Sequence, residues 1–231
     1  MRFNKVLLLF FAFVFTGIWT PSGLDAASET KAPAGTNKLS LDEIIDRVEA
    51  HYAVSGFTAL FFQTSTIKAM DITDTASGRI FVKRPGKMRW EYQKPEPQTI
   101  VSDGKQLWIF RPEDRQVMIG KAPDFFGGGK GASFLSDMRQ IRSQFLMNLG
   151  GTDPNGDFQL NLLPIEKKFD ISLLTLTVSA KTFDIIRIIT YNSYGDETRI
   201  ELSDIQLKSE LDDRLFTFST PEGVEVLYLD E

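Results

Sequence analysis

His51 is the only histidine of the chain, and the sequence contains no cysteine. Zinc sites are built largely from histidine and cysteine side chains, and nucleophilic triads need a base beside the nucleophile. Because the residues for either arrangement are missing or present once, the sequence disfavours an enzyme. His51 lies at the carboxyl end of a predicted helix, which indicates a residue that interacts with the helix dipole.

Two short runs resemble ligand-binding loops without meeting their requirements. The run 127–131 (GGGKG) suggests a phosphate loop, but Asp124 stands where that motif needs glycine, and no serine or threonine follows Lys130. The run 153–157 (DPNGD) suggests a calcium loop, but it lacks the ligand spacing and the closing bidentate glutamate. We interpret the second run as a plain turn and predict no catalytic residue, no metal ligand and no cofactor.

The amino terminus has the pattern of an export signal. Arg2 and Lys5 precede the almost entirely apolar residues 6–19. This run is shorter than the roughly 20 residues that a membrane-spanning helix needs, and small residues offer a cleavage point near Ala26 or Ala27. The predicted organisation is a signal peptide at 1–26, a flexible leader at 27–38 and a single domain at 39–231.

Composition excludes several further classes of protein. Without cysteine, the chain can form no disulfide and carry no lipid on an amino-terminal cysteine, so we expect the exported product to be free in solution. The formal net charge is −5, and no basic cluster is longer than Lys83-Arg84 or Lys167-Lys168. Nucleic-acid binding requires larger basic patches, so we expect no nucleic-acid partner.

The predicted elements are a helix followed by a long series of strands. Ser40 and Glu43 form a capping-box pattern ahead of apolar residues at helical spacing. From Phe57 the period changes to two, most clearly at 87–93, where apolar and charged residues alternate. Apolar residues at 134–146 then predict an amphipathic helix after a glycine-rich hinge, and the pattern closes at 216–218. Further strands are predicted at 98–101, 107–110, 116–120, 158–163, 171–180, 184–191 and 198–205.

Four blocks of the chain form an ordered pattern of motifs. The first contains Phe57, Phe61 and Gln63, and the others are 82–90 (VKRPGKMRW), 101–108 (VSDGKQLW) and 216–226 (FTFSTPEGVEV). Together, in this order, they resemble the LolA family of periplasmic lipoprotein carriers. The resemblance implies an α+β fold, in which an N-terminal helix and short lid helices cover the apolar cavity of an incomplete antiparallel β-barrel.

The resemblance also assigns roles to particular residues. Arg84 matches the arginine that helps to govern the lid and cargo transfer in the family, and Met88 matches an apolar residue near the opening that affects delivery. The candidates for lining the cavity are Phe57, Phe61, Val82, Trp90, Tyr92, Leu107 and Ile109. The candidates for the lid helix are Phe134, Leu135, Met138, Ile141 and Phe145.

The partners implied are acylated lipoproteins, an inner-membrane lipoprotein-releasing transporter and an outer-membrane lipoprotein acceptor. We therefore expect a monomer in the periplasm of a Gram-negative bacterium. A related carrier or sensor of another lipid, such as a glycolipid, is an alternative. A periplasmic hydrolase that depends on His51 is another. The outer-membrane acceptor shares the fold but needs an acylated cysteine, which this chain lacks.

Overall fold

The computed structural model describes residues 39–123, 135, 140–166 and 171–229. The predicted signal peptide and leader, the glycine run from Gly127 and the lid candidates Phe134 and Met138 lie outside the described residues. The α-helices bounded within the described residues are α1 (Leu41–His51) and α2 (Gln140–Gln144), and short 3-10 helices span Lys68–Met70 and Asp213–Phe216. The strands are β1 (Gly56–Ile67), β2 (Ile72–Lys83), β3 (Lys87–Lys94), β4 (Gln98–Asp103), β5 (Gln106–Arg111), β6 (Gln116–Lys121), β7 (Phe145–Thr152), β8 (Phe158–Pro164), β9 (Ile171–Val178), β10 (Ile185–Asn192), β11 (Glu197–Lys208) and β12 (Glu225–Tyr228).

Helix α1 begins where the capping box predicts. The hydroxyl of Ser40 accepts a hydrogen bond from the Glu43 backbone N–H at 3.3 Å, and the Glu43 carboxylate accepts one from the Ser40 backbone N–H at 2.7 Å. These bonds satisfy two groups that a helix start leaves without intrahelical partners. Ile44, Ile45 and Val48 are buried on one face of the helix, so α1 is held by packing as well as by its cap.

All the strands that the structure describes belong to one 12-stranded sheet in the order β12-β6-β5-β4-β3-β2-β1-β11-β10-β9-β8-β7. Neighbouring strands run antiparallel, except that β12 runs parallel to β6. The end strands β12 and β7 do not pair with each other, so the sheet remains unclosed. The α+β class and the unclosed, mainly antiparallel sheet are confirmed.

One face of the sheet packs against α1, and we call it the inner face. Phe57 on β1 lies opposite Val82 on β2, which lies opposite Met88 on β3. Because side chains alternate along a strand, every second residue of these strands points into the same core. The main core also contains inner-face residues of the second half of the sheet: Leu160, Leu162, Leu174, Leu176, Val178, Ile185, Ile188, Ile200 and Leu202.

The predicted helix at 134–146 is wrong at its carboxyl end. Helix α2 ends at Gln144, and Phe145 begins β7. Phe145 and Leu146 pair with Pro164 and Leu163 of β8. Backbone pairing with a neighbouring strand therefore decides the conformation here, although the apolar spacing also fits a helix.

The predicted closing strand at 216–218 is also wrong. Asp213–Phe216 forms a 3-10 turn whose start is capped by Asp212, and the last strand is β12. The Nζ atoms of Lys83 and Lys87 lie 2.9 and 2.7 Å from the Asp213 carboxylate. The 209–224 connection then crosses the outer face of the sheet, where the Phe218 ring lies 5.4 Å from that of Phe110.

Within the described part of the chain, no helix combines the length and the apolar character needed to cross a membrane.

Candidate functional site

An aromatic cluster occupies the middle of the inner face. The ring of Phe61 lies 4.9 Å from that of Trp90 and 4.9 Å from that of Tyr92. Gly78 makes this arrangement possible, because a Cβ at that position would lie 1.8 Å from the Glu91 carbonyl oxygen and 3.0 Å from the Phe61 ring. A glycine in β2 therefore lets β3 and the Phe61 ring approach closely.

Helix α1 covers the inner face next to these aromatic residues. Ile44, Ile45 and Val48 are at most 2% exposed, and the ring of Tyr52 lies 5.3 Å from that of Phe57. The apolar side of the sheet is thus closed to solvent by a short helix rather than by a second sheet.

The structure brings most of the candidate lining residues together. Phe57, Phe61, Val82 and Trp90 belong to the main core, and Tyr92 packs against it. Leu107 and Ile109 on β5 are buried in a smaller cluster with Ala122. The two groups are connected through Ile100, which contacts both clusters. The seven candidates therefore line two adjoining parts of the sheet rather than one.

Arg84 lies immediately after β2 and contacts the end of α1. Its guanidinium Nη1 donates hydrogen bonds to the carbonyl oxygens of Tyr52 and of Val54, the latter at 2.6 Å. The same group lies over the Tyr52 ring, 5.5 Å from its centroid. A cation at the carboxyl end of a helix also interacts favourably with the helix dipole. Arg84 thus ties the carboxyl end of α1 to the β2–β3 turn.

Met88 lies on the inner face beside Val82. Its side chain is 1% exposed, so it is enclosed in the core in this conformation. Met88 is therefore inaccessible from outside in this conformation.

The other side of the α1 terminus is fixed by the β9–β10 connection. His51 Nε2 lies 2.7 Å from the Asp184 carboxylate, and the Tyr52 hydroxyl accepts a hydrogen bond from the Ile185 backbone N–H at 3.0 Å. Burial raises the pKa of Tyr52. The guanidinium of Arg47 lies over the Phe183 ring at 5.3 Å. The contact with Asp184 gives His51 a structural role, in addition to its position at the end of the helix.

The described lid candidates lie over the same core. Leu135, Ile141 and Phe145 are at most 3% exposed and are part of the main core. The structure thus brings together the candidates Leu135 and Ile141, whereas Phe145 contributes from β7.

Arg142 on α2 forms a charged contact that sequence reasoning missed. Its guanidinium lies 3.2 Å from Asp42, 2.5 Å from Asp46 and 2.9 Å from Glu49. Helical spacing places these three carboxylates on one side of α1, and this pattern in the sequence could have indicated a binding partner for them. Their partner could not be identified, because it lies 93 to 100 residues away in the chain.

Buried polar side chains continue the inner row of β1 beyond Phe61. The Gln63 amide donates to the Ser65 hydroxyl at 3.0 Å, and the Tyr92 hydroxyl donates to the Gln63 carbonyl at 3.1 Å. Gln63 and Ser65 are 8% and 2% exposed. Burial raises the pKa of Tyr92. We call these three residues the polar cluster. Alternation along β1 predicts that Gln63 and Ser65 share a face, but it does not predict that Tyr92 reaches them.

In the acidic turn at 153–157, the Asp153 carboxylate binds backbone groups of the turn itself. Asp153 accepts hydrogen bonds from the backbone N–H groups of Asn155 and Asp157 at 2.8 and 3.0 Å. Across the described residues, histidine and acidic side chains form no group of three or more that could hold a metal ion.

Comparison with known proteins identifies similar sequences and a similar fold. A family model described as outer membrane lipoprotein carrier protein LolA matches residues 52–219. The outer-membrane lipoprotein carrier protein of Chromobacterium violaceum is 31% identical over 217 residues, which cover 94% of this chain and 94% of that protein. Its counterpart in Nitrosomonas europaea is 33% identical over 172 residues, 74% of this chain and 82% of that protein.

Among solved structures, an uncharacterized conserved protein from Thermus thermophilus aligns with a TM-score of 0.53 and 16% identity, covering 81% of this chain and 98% of that one. This likeness shows the fold alone.

Proposed function

The chain belongs to the LolA family of outer membrane lipoprotein carrier proteins, and from that premise we propose that it carries lipoproteins across the periplasm by enclosing their acyl chains. In this proposal it receives cargo from an inner-membrane ATP-driven transporter and delivers it to an outer-membrane acceptor. The observation that carries the proposal is the apolar inner face of an unclosed sheet, which packs against α1, Leu135 and Ile141.

Hydrocarbon burial supplies the energy of cargo binding. An acyl chain of roughly 16 carbons gains about 13 kcal/mol when it leaves water, at about 0.8 kcal/mol per methylene. Removing an acyl chain from a bilayer costs a similar free energy, so an energised donor must supply the cargo. Delivery then requires only that the acceptor bind the cargo more tightly, at about 1.4 kcal/mol for each tenfold difference in affinity.

Cargo entry requires that the cover move. Ile44, Ile45 and Val48 are the buried residues of α1 itself. Exposing each of these side chains to water costs about 2 kcal/mol. Acyl chains that take their place on the inner face offset this cost. Closing of α1 and binding of cargo therefore compete for the same apolar surface.

We assign to Arg84 the control of this competition. Its bonds to the carbonyl oxygens of Tyr52 and Val54 stabilise the closed position of α1. The closed position lowers the net affinity for cargo, because a ligand of the open state must first overcome the cost of opening. Met88, beside Val82 under this end of the helix, contacts cargo once α1 has moved.

Chemistry on the cargo has no place in this proposal: the protein acts by binding and release, without a catalytic residue. His51 has a positioning contact with Asp184 at 2.7 Å. If turnover of an ester or amide substrate were abolished in a His51→Gln variant, the hydrolase alternative would replace this proposal.

Mass spectrometry of material that copurifies with the protein from the periplasm tests the cargo directly. We expect triacylated lipoproteins bound in a one-to-one ratio with the carrier. The matched control is a variant with Trp90→Asp, which places a charge in the aromatic cluster and should copurify with no lipid. Recovery of free glycolipid alone would overturn the lipoprotein assignment.

A further inference from the structure

The polar cluster interrupts an inner face that is otherwise built for hydrocarbon. The inner row of β1 runs Phe57, Ala59 and Phe61, all nearly inaccessible to solvent, and then changes to Gln63 and Ser65. Buried amide and hydroxyl groups cost free energy unless they are hydrogen-bonded. Hydrocarbon chains gain nothing from such groups, so the binding of acyl methylenes does not explain them.

The transition from apolar to polar is abrupt and passes through one residue. The ring of Tyr92 completes the aromatic cluster with Phe61, 4.9 Å away, while its hydroxyl reaches Gln63 at 3.1 Å. Gln63 lies opposite Ile200 on β11 and Ala76 on β2, whereas Ser65 lies opposite Thr198 and Asp74. The three strands are therefore all polar at the level of Ser65. A lipid has the same order: methylene chains first, then the carbonyl groups that join them to the head.

The cluster retains hydrogen-bond donors after its internal bonds are made. A glutamine amide has two N–H donors, and a serine hydroxyl can donate while it accepts. Among the described residues, Gln63 donates to Ser65 alone, and the Ser65 hydroxyl makes no donated bond. Two donors of buried side chains thus remain for an acceptor on a bound molecule. Ester and amide carbonyl oxygens are acceptors of this kind.

We propose that Gln63 and Ser65, oriented by Tyr92, form a subsite for the carbonyl groups of acyl esters or amides. The inference rests on the proposed function, since it requires that acyl chains occupy the inner face. The subsite sets how deeply a chain inserts: methylenes lie against Phe61 and Trp90, and the linkage stops at the polar cluster. It also selects acylated molecules over plain hydrocarbons of equal length.

A comparison of ester and ether lipids tests the subsite in the full mature chain. Dioctanoylglycerol and dioctylglycerol ether have matched chains, but only the ester has carbonyl oxygens. Displacement of the fluorescent probe 1-anilinonaphthalene-8-sulfonate measures both affinities. We expect the wild-type protein to bind the ester about tenfold more tightly than the ether. Equal affinities would overturn the subsite, and failure of both lipids to displace the probe would instead count against the proposed function.

Two variants locate the preference. Gln63→Leu should lower the ester affinity about tenfold and leave the ether affinity unchanged, and Ser65→Ala should lower the ester affinity by a smaller factor. The matched control is Gln106→Leu, which makes the same chemical change at an exposed position of β5 and should preserve the preference. A full ester preference in Gln63→Leu and Ser65→Ala would overturn the assignment. Circular dichroism checks that each variant is folded.

The source of the carbonyl groups is decided by a second pair of ligands. A peptide with a triacylated amino-terminal cysteine and a phosphatidylglycerol with the same chains are compared in the same assay. Tighter binding of the lipopeptide that depends on Gln63 supports a lipoprotein subsite. Equal, Gln63-dependent binding of phosphatidylglycerol supports the carbonyl subsite and overturns its restriction to lipoproteins.

Discussion

The guanidinium of Arg84 donates a hydrogen bond to the carbonyl oxygen of Val54, 2.6 Å away, just beyond the end of helix α1. The contact joins the β2–β3 turn to the helix that covers the inner face. The two residues are 30 positions apart in the chain, so tertiary folding rather than local geometry brings them together. In the proposed mechanism, this bond stabilises the closed position of the helix.

Replacing Arg84 by leucine should separate cargo uptake from cargo delivery. We expect Arg84→Leu to fold and to accept lipoproteins, but to hand them over about tenfold more slowly. Without the bonds to Tyr52 and Val54, closing competes less well with cargo, so the carrier holds the lipid more tightly. A reconstituted assay with donor membranes and acceptor protein measures both steps.

The control for this variant is Arg79→Leu, which removes an exposed arginine from β2. It should deliver at the wild-type rate. Normal delivery by Arg84→Leu would remove Arg84 from the mechanism.

Gly78→Ala should be among the most damaging single-methyl additions to the sheet. The new Cβ would lie 1.8 Å from the Glu91 carbonyl oxygen, so β2 and β3 must separate and the Phe61 ring must shift. We expect a loss of about 3 kcal/mol in the free energy of unfolding, in the range of overpacked cores. Urea denaturation measures it, and Ser77→Ala, at the neighbouring position, should change stability by less than about 0.5 kcal/mol. A wild-type midpoint for Gly78→Ala would contradict the close approach.

Arg142→Met should loosen α2 without unfolding the sheet. Arg142 is 36% exposed, so its contacts with Asp42, Asp46 and Glu49 are screened by solvent. Ion pairs of this kind contribute up to about 1 kcal/mol, more as a network than as isolated pairs. We expect amide exchange in 140–144 to accelerate about threefold to fivefold, with little change in the urea midpoint.

Arg187→Met is the control. Among the described residues Arg187 pairs with Glu201 alone, and it lies on β10 rather than on α1 or α2. It should leave exchange in 140–144 unchanged. High salt should accelerate exchange there in the wild-type protein and have a smaller effect in Arg142→Met. Equal salt effects in both proteins would show that Arg142 does not hold α2.

The crossing connection should make the protein sensitive to acid. Lys87 and Lys83 lower the pKa of Asp213 through hydrogen bonds, and Arg214 lowers the pKa of Asp212 to about 2. Both pKa values lie below the ordinary value of 3.8. The folded chain therefore binds fewer protons than the unfolded chain, so this stabilisation is present above pH 3.8 and is lost as the pH falls toward 2.

Urea midpoints at pH 7, 4 and 2.5 measure this effect. Asp213→Asn should be less stable than wild type at pH 7 and should lose less stability on acidification. Asp204→Asn changes an exposed carboxylate of β11 and should follow the wild-type profile. A wild-type profile for Asp213→Asn would show that the connection is held by other contacts.

Local sequence patterns predicted the elements whose determinants lie within a few residues. The capping box of Ser40 and Glu43 specified the start of α1, and the alternation around Met88 and Trp90 specified β3 and its buried face. The same reasoning failed at Phe145, whose spacing suits a helix but whose backbone pairs with β8. The conformation of Phe145 depends on a strand that comes later in the chain, which no local pattern contains.

Periodicity and capping are local properties, so they were enough to predict a mainly antiparallel sheet with one apolar face and an amino-terminal helix. Which distant groups meet depends on the packing of the assembled elements. This packing brought Arg142 to the carboxylates of α1, Tyr92 to Gln63, and the guanidinium of Arg84 to the end of α1. Such contacts depend on how separate elements pack, since each partner is compatible with many neighbours until the sheet has assembled.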